Sequence, residues 1–210
     1  MKKLVVVTLL VFLFSCKKEE NIHIVALNPV TGEHYAGLTF YLVQQKTTSN
    51  DEENTTLKTG TLNSNGEAIF SIKLNRKHAY MIKVEEPDNT CYNKSIQMYL
   101  DSPYDDGKFT FEFAPCGNIK LNINNVNCLG ATDTFKLFHI GSSAGYESYF
   151  GTNPVKEGSG CYSYLQSQFS DVPMGYRYYR WEVTRNGITD IIYDTIYINS
   201  GEDFIYNVNY

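Results

Sequence analysis

Cysteine is the residue type whose number and spacing most constrain the chemistry of this chain. The sequence has five: Cys16, Cys91, Cys116, Cys128 and Cys161. Structural zinc sites use closely spaced cysteine pairs, and no C-x2-C pair occurs here, so we predict no metal site. Isolated cysteines are typical of attachment points and, in exported proteins, of disulfides.

The other residue types that support catalysis form no recognisable motif. The chain has no H-x-x-x-H pair, no G-x-S-x-G elbow and no phosphate-binding loop, and its histidines are His23, His34, His78 and His139. Asp101, Asp105 and Asp106 are the tightest acidic group, but they lack calcium-loop spacing and are better explained as a polar loop than as glycosidase carboxylates. We therefore predict no enzyme and no cofactor, with a hydrolase as the least supported alternative.

The first fifteen residues have the composition of a signal peptide. Lys2 and Lys3 precede an unbroken apolar run from Leu4 to Phe14. As a helix this run would span roughly 16 Å, about half of a hydrocarbon core, which is typical of a signal peptide and too short for a membrane span. The sequence therefore predicts an exported protein.

The end of that run resembles the bacterial lipobox. Leu13 stands at −3, Ser15 at −1 and Cys16 at +1, while Phe14 departs from the small residue usual at −2, as in looser lipoboxes of Bacteroidetes-like lipoproteins. The resemblance implies that Cys16 is acylated and that the membrane is a partner through its lipid. Several acyl chains make such an anchor effectively permanent.

The charged segment after Cys16 bears on which side of the membrane the protein occupies. Lys17-Lys18-Glu19-Glu20 resembles the short charged stretch that directs some Bacteroidetes lipoproteins to the outer face of the outer membrane. The simpler alternative is a solvated tether. We expect an outer-membrane lipoprotein exposed at the cell surface.

Charge and composition narrow the remaining classes. The chain has 18 basic and 23 acidic side chains. Without Lys2 and Lys3 of the predicted signal peptide, 16 basic side chains remain and the formal charge is 16 − 23 = −7. This charge disfavours nucleic acid as a partner. Seventeen tyrosines and twelve phenylalanines favour strands over helices. Strand-like stretches recur every eight to twelve residues between turn residues, the spacing of a sandwich or barrel. We predict an all-β protein.

The first half of the mature chain resembles a known group of β-sandwich families. The segments 28–33 (NPVTGE), 36–42 (AGLTFYL) and 59–67 (TGTLNSNGE), followed by alternating apolar residues up to Val84, are similar to carboxypeptidase-regulatory-like, Cna-B and transthyretin-like domains. The similarity covers roughly Asn21 to Pro115 and implies an Ig-like or transthyretin-like sandwich without any activity. The rest of the chain resembles no particular family, but its alternating segments predict a second β-sandwich.

These observations divide the chain into four parts. We predict a signal peptide at 1–15, a lipidated tether at 16–21, a first sandwich at 22–116 and a second at 117–210. With Cys16 assigned to lipid, four cysteines remain, and they allow three pairings. A boundary near Gly117 favours Cys91–Cys116 and Cys128–Cys161, one disulfide in each domain.

Aromatic residues are concentrated in the second domain. Those between Tyr146 and Tyr193 are Tyr146, Tyr149, Phe150, Tyr162, Tyr164, Tyr176, Tyr178, Tyr179, Trp181 and Tyr193. Exposed Tyr and Trp rings bind sugars and proteins with little loss of entropy, so Tyr176, Tyr178, Tyr179 and Trp181 are our candidate ligand platform. Strand alternation places one half of them in the core.

The leading functional hypothesis is a non-catalytic binding, adhesion or scaffold module anchored at the outer membrane, with a protein or glycan as its partner. The alternative is a carbohydrate-binding accessory of a nutrient-uptake system. Glycan binding that depends on the aromatic residues separates the two.

Overall fold

The computed structural model describes residues 17–47, 52–75, 77–100, 107–145 and 150–210. The predicted signal peptide, Cys16, the Asp101/Asp105/Asp106 group, Tyr146 and Tyr149 lie outside these residues. Every regular element of the described ranges is a β-strand, which confirms the all-β prediction. Over the same ranges, the structure has no helix of the length and hydropathy needed to cross a membrane.

The described residues form fifteen strands. In chain order they are β1 (Lys17–Leu27), β2 (Thr39–Thr47), β3 (Glu52–Thr61), β4 (Glu67–Asn75), β5 (Ala79–Val84), β6 (Thr90–Asn93), β7 (Gln97–Tyr99), β8 (Lys108–Asn124), β9 (Thr134–Ser142), β10 (Lys156–Ser159), β11 (Tyr164–Leu165), β12 (Ser170–Pro173), β13 (Gly175–Arg185), β14 (Ile188–Ile198) and β15 (Asp203–Asn209).

The strands belong to two compact units that are not contiguous in sequence. Unit 1 comprises the described part of Met1–Ala26 with His34–Glu85 and Ser95–Phe111. Unit 2 comprises Leu27–Glu33, Glu86–Lys94 and Glu112–Tyr210. The predicted domains, in contrast, are contiguous and meet at 116/117. The difference arises because β8 passes from one unit into the other and because two short segments of the first half pair or bond with residues of unit 2.

Unit 1 is a sandwich of two sheets. In one, β1 pairs antiparallel with β4 and has the beginning of β8 on its other side; the second has the order β3-β2-β5-β7. Alternate residues of each strand point inward, as period-2 patterning requires. Fully or nearly fully buried examples are Ile24, Leu42, Ile82 and Phe111.

The beginning of β1 differs from the prediction of a tether at 16–21. Lys17 to Asn21 pair in register with Asn75 to Ser71 of β4. A charged sequence does not prevent this, because strand pairing uses backbone hydrogen bonds. The strand therefore starts at the first residue after Cys16.

Unit 2 is a second sandwich. In its first sheet, β8 pairs with β15 in parallel and with β6, β11 and β12 antiparallel; its second sheet has the order β10-β9-β13-β14. Phe135, Leu137, Val183, Ile198 and Val208 form part of the core between them. Asn186 and Gly187, a residue pair typical of tight hairpins, connect β13 to β14, and both have positive φ (49° and 79°).

Both disulfides lie within unit 2. Cys91 pairs with Cys116 and Cys128 with Cys161, with Cα–Cα distances of 4.8 and 5.2 Å that suit a disulfide. The predicted pairing is confirmed. Its expected distribution, one disulfide in each unit, is not what the structure shows, because the segment that carries Cys91 belongs to unit 2.

Candidate functional site

Strand β13 carries all four residues of the predicted aromatic platform. Its side chains alternate between the two faces of the sheet, so that Tyr176 and Tyr178 are exposed while Arg177 and Tyr179 are buried. The platform is therefore divided between an outer pair and an inner pair. The expectation that one half faces the core is confirmed.

The outer pair forms an aromatic surface. Tyr176 and Tyr178 are 49% and 38% exposed, and their rings are nearly parallel with centroids 6.5 Å apart. Tyr197 of β14 meets Tyr176 edge-on at 4.8 Å. This surface is available to a partner, as edge-to-face and offset pairs hold the rings in place.

The inner pair belongs to the core. Tyr179 is buried and its ring lies 4.8 Å from Tyr206, while the half-buried Trp181 lies 6.4 Å from the same ring. Burial and the carboxylate of Asp194, which accepts a hydrogen bond from the Tyr206 hydroxyl at 3.0 Å, raise the pKa of Tyr206. Trp181 therefore has a packing role, and Tyr179 meets a ligand only through the cleft described next.

A cleft of about 530 Å³ lies in unit 2 and takes its lining from both sheets. This volume is typical of small-molecule sites. Its thirteen lining residues are Ile119 and Leu121 of β8, His139 of β9, Val155, Lys156, Tyr164, the segment Gln166, Ser167, Gln168, Phe169 and Ser170, and Arg177 and Tyr179 of β13. Apolar, aromatic, polar and cationic side chains thus converge there.

Two buried polar residues form part of the cleft wall. Arg177 is 7% exposed and His139 is 4% exposed. Nη2 of Arg177 lies 3.1 Å from Nδ1 of His139, and its Nε donates to the hydroxyl of Tyr179 at 3.3 Å. Since an arginine only donates, Nδ1 is the accepting nitrogen and the imidazole is neutral in this arrangement.

The electrostatics of the cleft agree with a neutral imidazole. Burial and the neighbouring Arg177 charge lower the pKa of His139 to about 4. Phe150 packs edge-on against the imidazole at 4.5 Å and adds to its apolar surroundings. At neutral pH the positive charge of this pair is therefore carried by Arg177 alone.

The rim of the cleft combines aromatic and cationic groups. Lys156 Nζ lies 4.1 Å from the centroid of the Tyr164 ring, and Phe169 is 39% exposed. Gln166 holds the intervening segment, because its side-chain amide donates to Ser170 Oγ at 2.9 Å and its oxygen accepts from the Leu121 backbone at 3.3 Å. The rim is thus built by side chains that are already held in position.

Sequence reasoning found part of this site and missed the rest. It predicts Tyr179 as a ligand contact but not Arg177, Lys156 or the 166–170 segment, and it names His139 only among the four histidines that form no metal-binding motif. The available signal was an Arg and a His at core-facing positions of two strands, where an apolar residue is usual. Within the described ranges no group of three or more metal-ligating side chains occurs, and His23, His34 and His78 are elsewhere.

Comparisons with known proteins give a fold likeness and no family. No protein-family profile matches the chain, and no curated protein matches it. Among solved structures, the TIE protein of Bacillus anthracis is 12% identical over 91% of this chain and 34% of that one, at a TM-score of 0.34.

Two pilins give similar values. Shaft pilin SpaA from Lactobacillus rhamnosus GG is 10% identical over 91% of this chain and 98% of that one, with a TM-score of 0.33. A streptococcal ancillary pilin is 12% identical over 90% and 62%, with a TM-score of 0.34. This chain spans about a third of the TIE chain. At these TM-scores the matches carry no information on function.

Proposed function

We propose that this protein is a non-catalytic binding module of the bacterial cell envelope and that unit 2 binds a small ligand in its cleft. The observation that carries the proposal is the cleft itself, where an aromatic rim and a few positioned polar groups surround about 530 Å³. Ligand sites are recognised by this combination of an apolar wall and convergent polar groups.

The lining residues favour binding over catalysis. None of the thirteen is an acid or a thiol. Glycoside hydrolysis requires two carboxylates, and a serine nucleophile requires a base within hydrogen-bond reach. His139, the one imidazole of the lining, has its Nδ1 occupied by Arg177, and its Nε2 makes no hydrogen bond to a described serine. The cleft is therefore equipped to hold a molecule and not to cleave it.

The proposed location rests on the sequence of the N-terminus. Lys2, Lys3 and the apolar run are typical of an export signal, and Cys16 stands where a lipobox requires it. We propose lipid anchoring at the outer membrane with exposure at the cell surface. Palmitate labelling that is lost in Cys16→Ala tests the anchor, and protease shaving of intact cells tests the exposure.

A glycan array tests the binding function directly. The full mature chain with Cys16→Ser is labelled and applied to neutral and acidic glycans. We expect binding that is lost in Ser167→Trp, where the indole fills the rim of the cleft, and kept in Ser200→Trp, which changes an exposed turn serine away from the lining. Binding that is equal in both variants contradicts the proposed site.

A second candidate function, adhesion or scaffolding through a protein partner, is favoured by the outer face of unit 2. Besides Tyr176 and Tyr178, the strand β14 exposes Ile191 and Tyr193, which are 54% and 67% exposed. Exposed apolar and aromatic groups in one area mark interaction surfaces. Co-purification of envelope proteins that is lost in Tyr176→Ser/Tyr178→Ser, with no glycan bound, supports this function over the first.

A further inference from the structure

Arg177 is a buried cation that no described carboxylate neutralises. Its side chain contacts the neutral His139 and the hydroxyl of Tyr179. Burying a charge without an opposite charge is costly, and natural proteins usually pair it. The other buried ion of unit 2 follows that rule, since Asp133 lies 3.7 Å from Arg185 Nε and accepts from the Leu129 backbone at 2.9 Å. Arg177 is therefore the exception that needs an explanation.

The guanidinium of Arg177 has donors to spare. It carries five N–H bonds, of which one on Nε and one on Nη2 are used by Tyr179 and His139. The other three make no hydrogen bond with the described residues. A planar guanidinium offers such donors in the geometry that a carboxylate accepts with both oxygens. Because Arg177 lines the cleft, an anion that enters it can reach them.

The charge of the residues that line the cleft also favours an anionic ligand. Lys156 is the second cation of the cleft, and no acidic residue lines it. The chain as a whole has a formal charge of −5, so this positive region is a local departure from the average. A cleft lined by one sign of charge concentrates ligands of the opposite sign. We expect anions to be preferred over neutral molecules.

The remaining lining groups fit a sugar ring. Tyr164 and Phe169 contribute rings to the rim, each with a lysine ammonium over it (Lys156 at 4.1 Å and Lys120 at 5.7 Å from the ring centroids). Ser167 and Gln168 are exposed polar side chains of the same lining. Sugars are bound by such combinations, because their C–H faces pack on rings while their hydroxyls bond to amides and hydroxyls. A phosphate site, in contrast, is typically built from backbone N–H groups at a helix N-terminus or in a nest. The described lining has a single buried guanidinium instead.

We propose that the cleft of unit 2 binds a carboxylated sugar, with its carboxylate on Arg177 and its ring against the aromatic rim formed by Tyr164 and Phe169. This inference rests on the proposed function as a binding module and specifies the chemistry of the ligand. Lys156 contributes a second, more exposed positive charge to the same anion.

The test compares galacturonate with galactose, which differ in the carboxylate. Both are titrated into the full mature chain at low ionic strength and followed by NMR chemical shifts. We expect galacturonate to bind at least tenfold more tightly. Arg177→Met keeps the length of the side chain and removes its charge. It should lower the affinity for galacturonate at least tenfold and leave the affinity for galactose within twofold of the wild-type value. Lys156→Gln should lower the affinity for galacturonate about twofold to fivefold, because the charge of Lys156 at the rim is better solvated than that of Arg177.

Arg180→Met is the matched control. Arg180 lies on the same strand three residues away, is paired with Glu182 at 3.1 Å and does not line the cleft. We expect its galacturonate affinity to equal that of the wild type. Amide exchange of each variant shows whether unit 2 is folded. If Arg177→Met does not fold, the affinity of Lys156→Gln for galacturonate still tests the inference.

Three outcomes overturn the inference. If galactose and galacturonate bind with equal affinity and Arg177→Met has no effect, the proposed contact between the carboxylate and Arg177 is wrong. The cleft would still bind a ligand, so the proposed function would stand. Inorganic phosphate that binds as tightly as galacturonate shows a general anion site. If folded protein does not bind galacturonate, a carboxylated sugar is not the ligand. The glycan array tests the proposed binding function separately.

Discussion

The two units have the same β-sandwich architecture but different interiors. The buried residues of unit 1 in the described ranges are apolar, apart from glycine, whereas the four buried polar or charged residues, Asn28, Asp133, His139 and Arg177, all belong to unit 2. Both disulfides also lie in unit 2. Polar groups in a core reduce the gain from apolar burial, and cross-links offset that reduction by constraining the unfolded chain. Unit 1 therefore has an apolar interior without a described disulfide, whereas unit 2 combines a partly polar interior with two disulfides.

The largest expected difference between the units is their response to loss of the disulfides. The cross-linked residues are separated by 25 and 33 positions. Removing either pair as Cys91→Ser/Cys116→Ser or Cys128→Ser/Cys161→Ser should lower the free energy of unfolding of unit 2 by about 3 kcal/mol. Hydrogen exchange resolved by mass spectrometry should show this loss in β9 and β13. Equal loss in β2 and β5 of unit 1 would mean that the comparison is wrong.

A second difference is the response to acid. The pKa of His139 is lowered to about 4 in the folded protein, below its ordinary value of about 6.5. As the pH falls below about 6.5, His139 takes up a proton in the unfolded chain but not in the folded one. Unit 2 therefore loses stability until the pH reaches about 4. Below that pH the folded protein is protonated as well, and this group causes no further loss. We expect a loss of about 3 kcal/mol from this group.

Urea unfolding across this pH range measures the effect. His139→Gln keeps an acceptor for Arg177 and removes the titrating group, so its stability should fall less than that of the wild type. His34→Gln, which removes an exposed imidazole in unit 1, should leave the acid response of unit 2 unchanged. The same slope in all three proteins would assign the acid sensitivity to other groups.

The smallest expected effect concerns the hairpin between β13 and β14. Gly187 has φ of 79°, a conformation that is strained for a side-chain-bearing residue. Gly187→Ala should therefore destabilise unit 2 by about 1 kcal/mol. Gly130→Ala is the control, because Gly130 has no positive φ and a Cβ there meets nothing within 4 Å. Thermal unfolding of the two variants should differ by a few degrees, and identical midpoints would exclude strain at this turn.

Much of the fold could be predicted because it depends on neighbours in sequence. The period-2 alternation that buries Leu42 and Ile82, the turn at Asn186-Gly187 and the division of β13 into two faces are local properties of the chain. The pairing Cys91–Cys116 and Cys128–Cys161, which a boundary near Gly117 favours, is the observed one, although both disulfides lie in unit 2. Local patterns do not specify which distant strand lies beside which, so the membership of the segment around Cys91 in unit 2 was not predictable.

The candidate site shows the same limit. Alternation alone predicts that Arg177 and Tyr179 share one face of β13 and that His139 shares the face of β9 that carries Phe135 and Leu137. Their meeting depends on the register of these two strands, which shifts between Tyr178 and Tyr179 so that His139 lies opposite Tyr179. A register irregularity of this kind brings together residues 38 positions apart. The sequence by itself determined the strands and their inward faces; the tertiary structure decided which inward residues share a cleft, because register and sheet packing are set by contacts between distant segments.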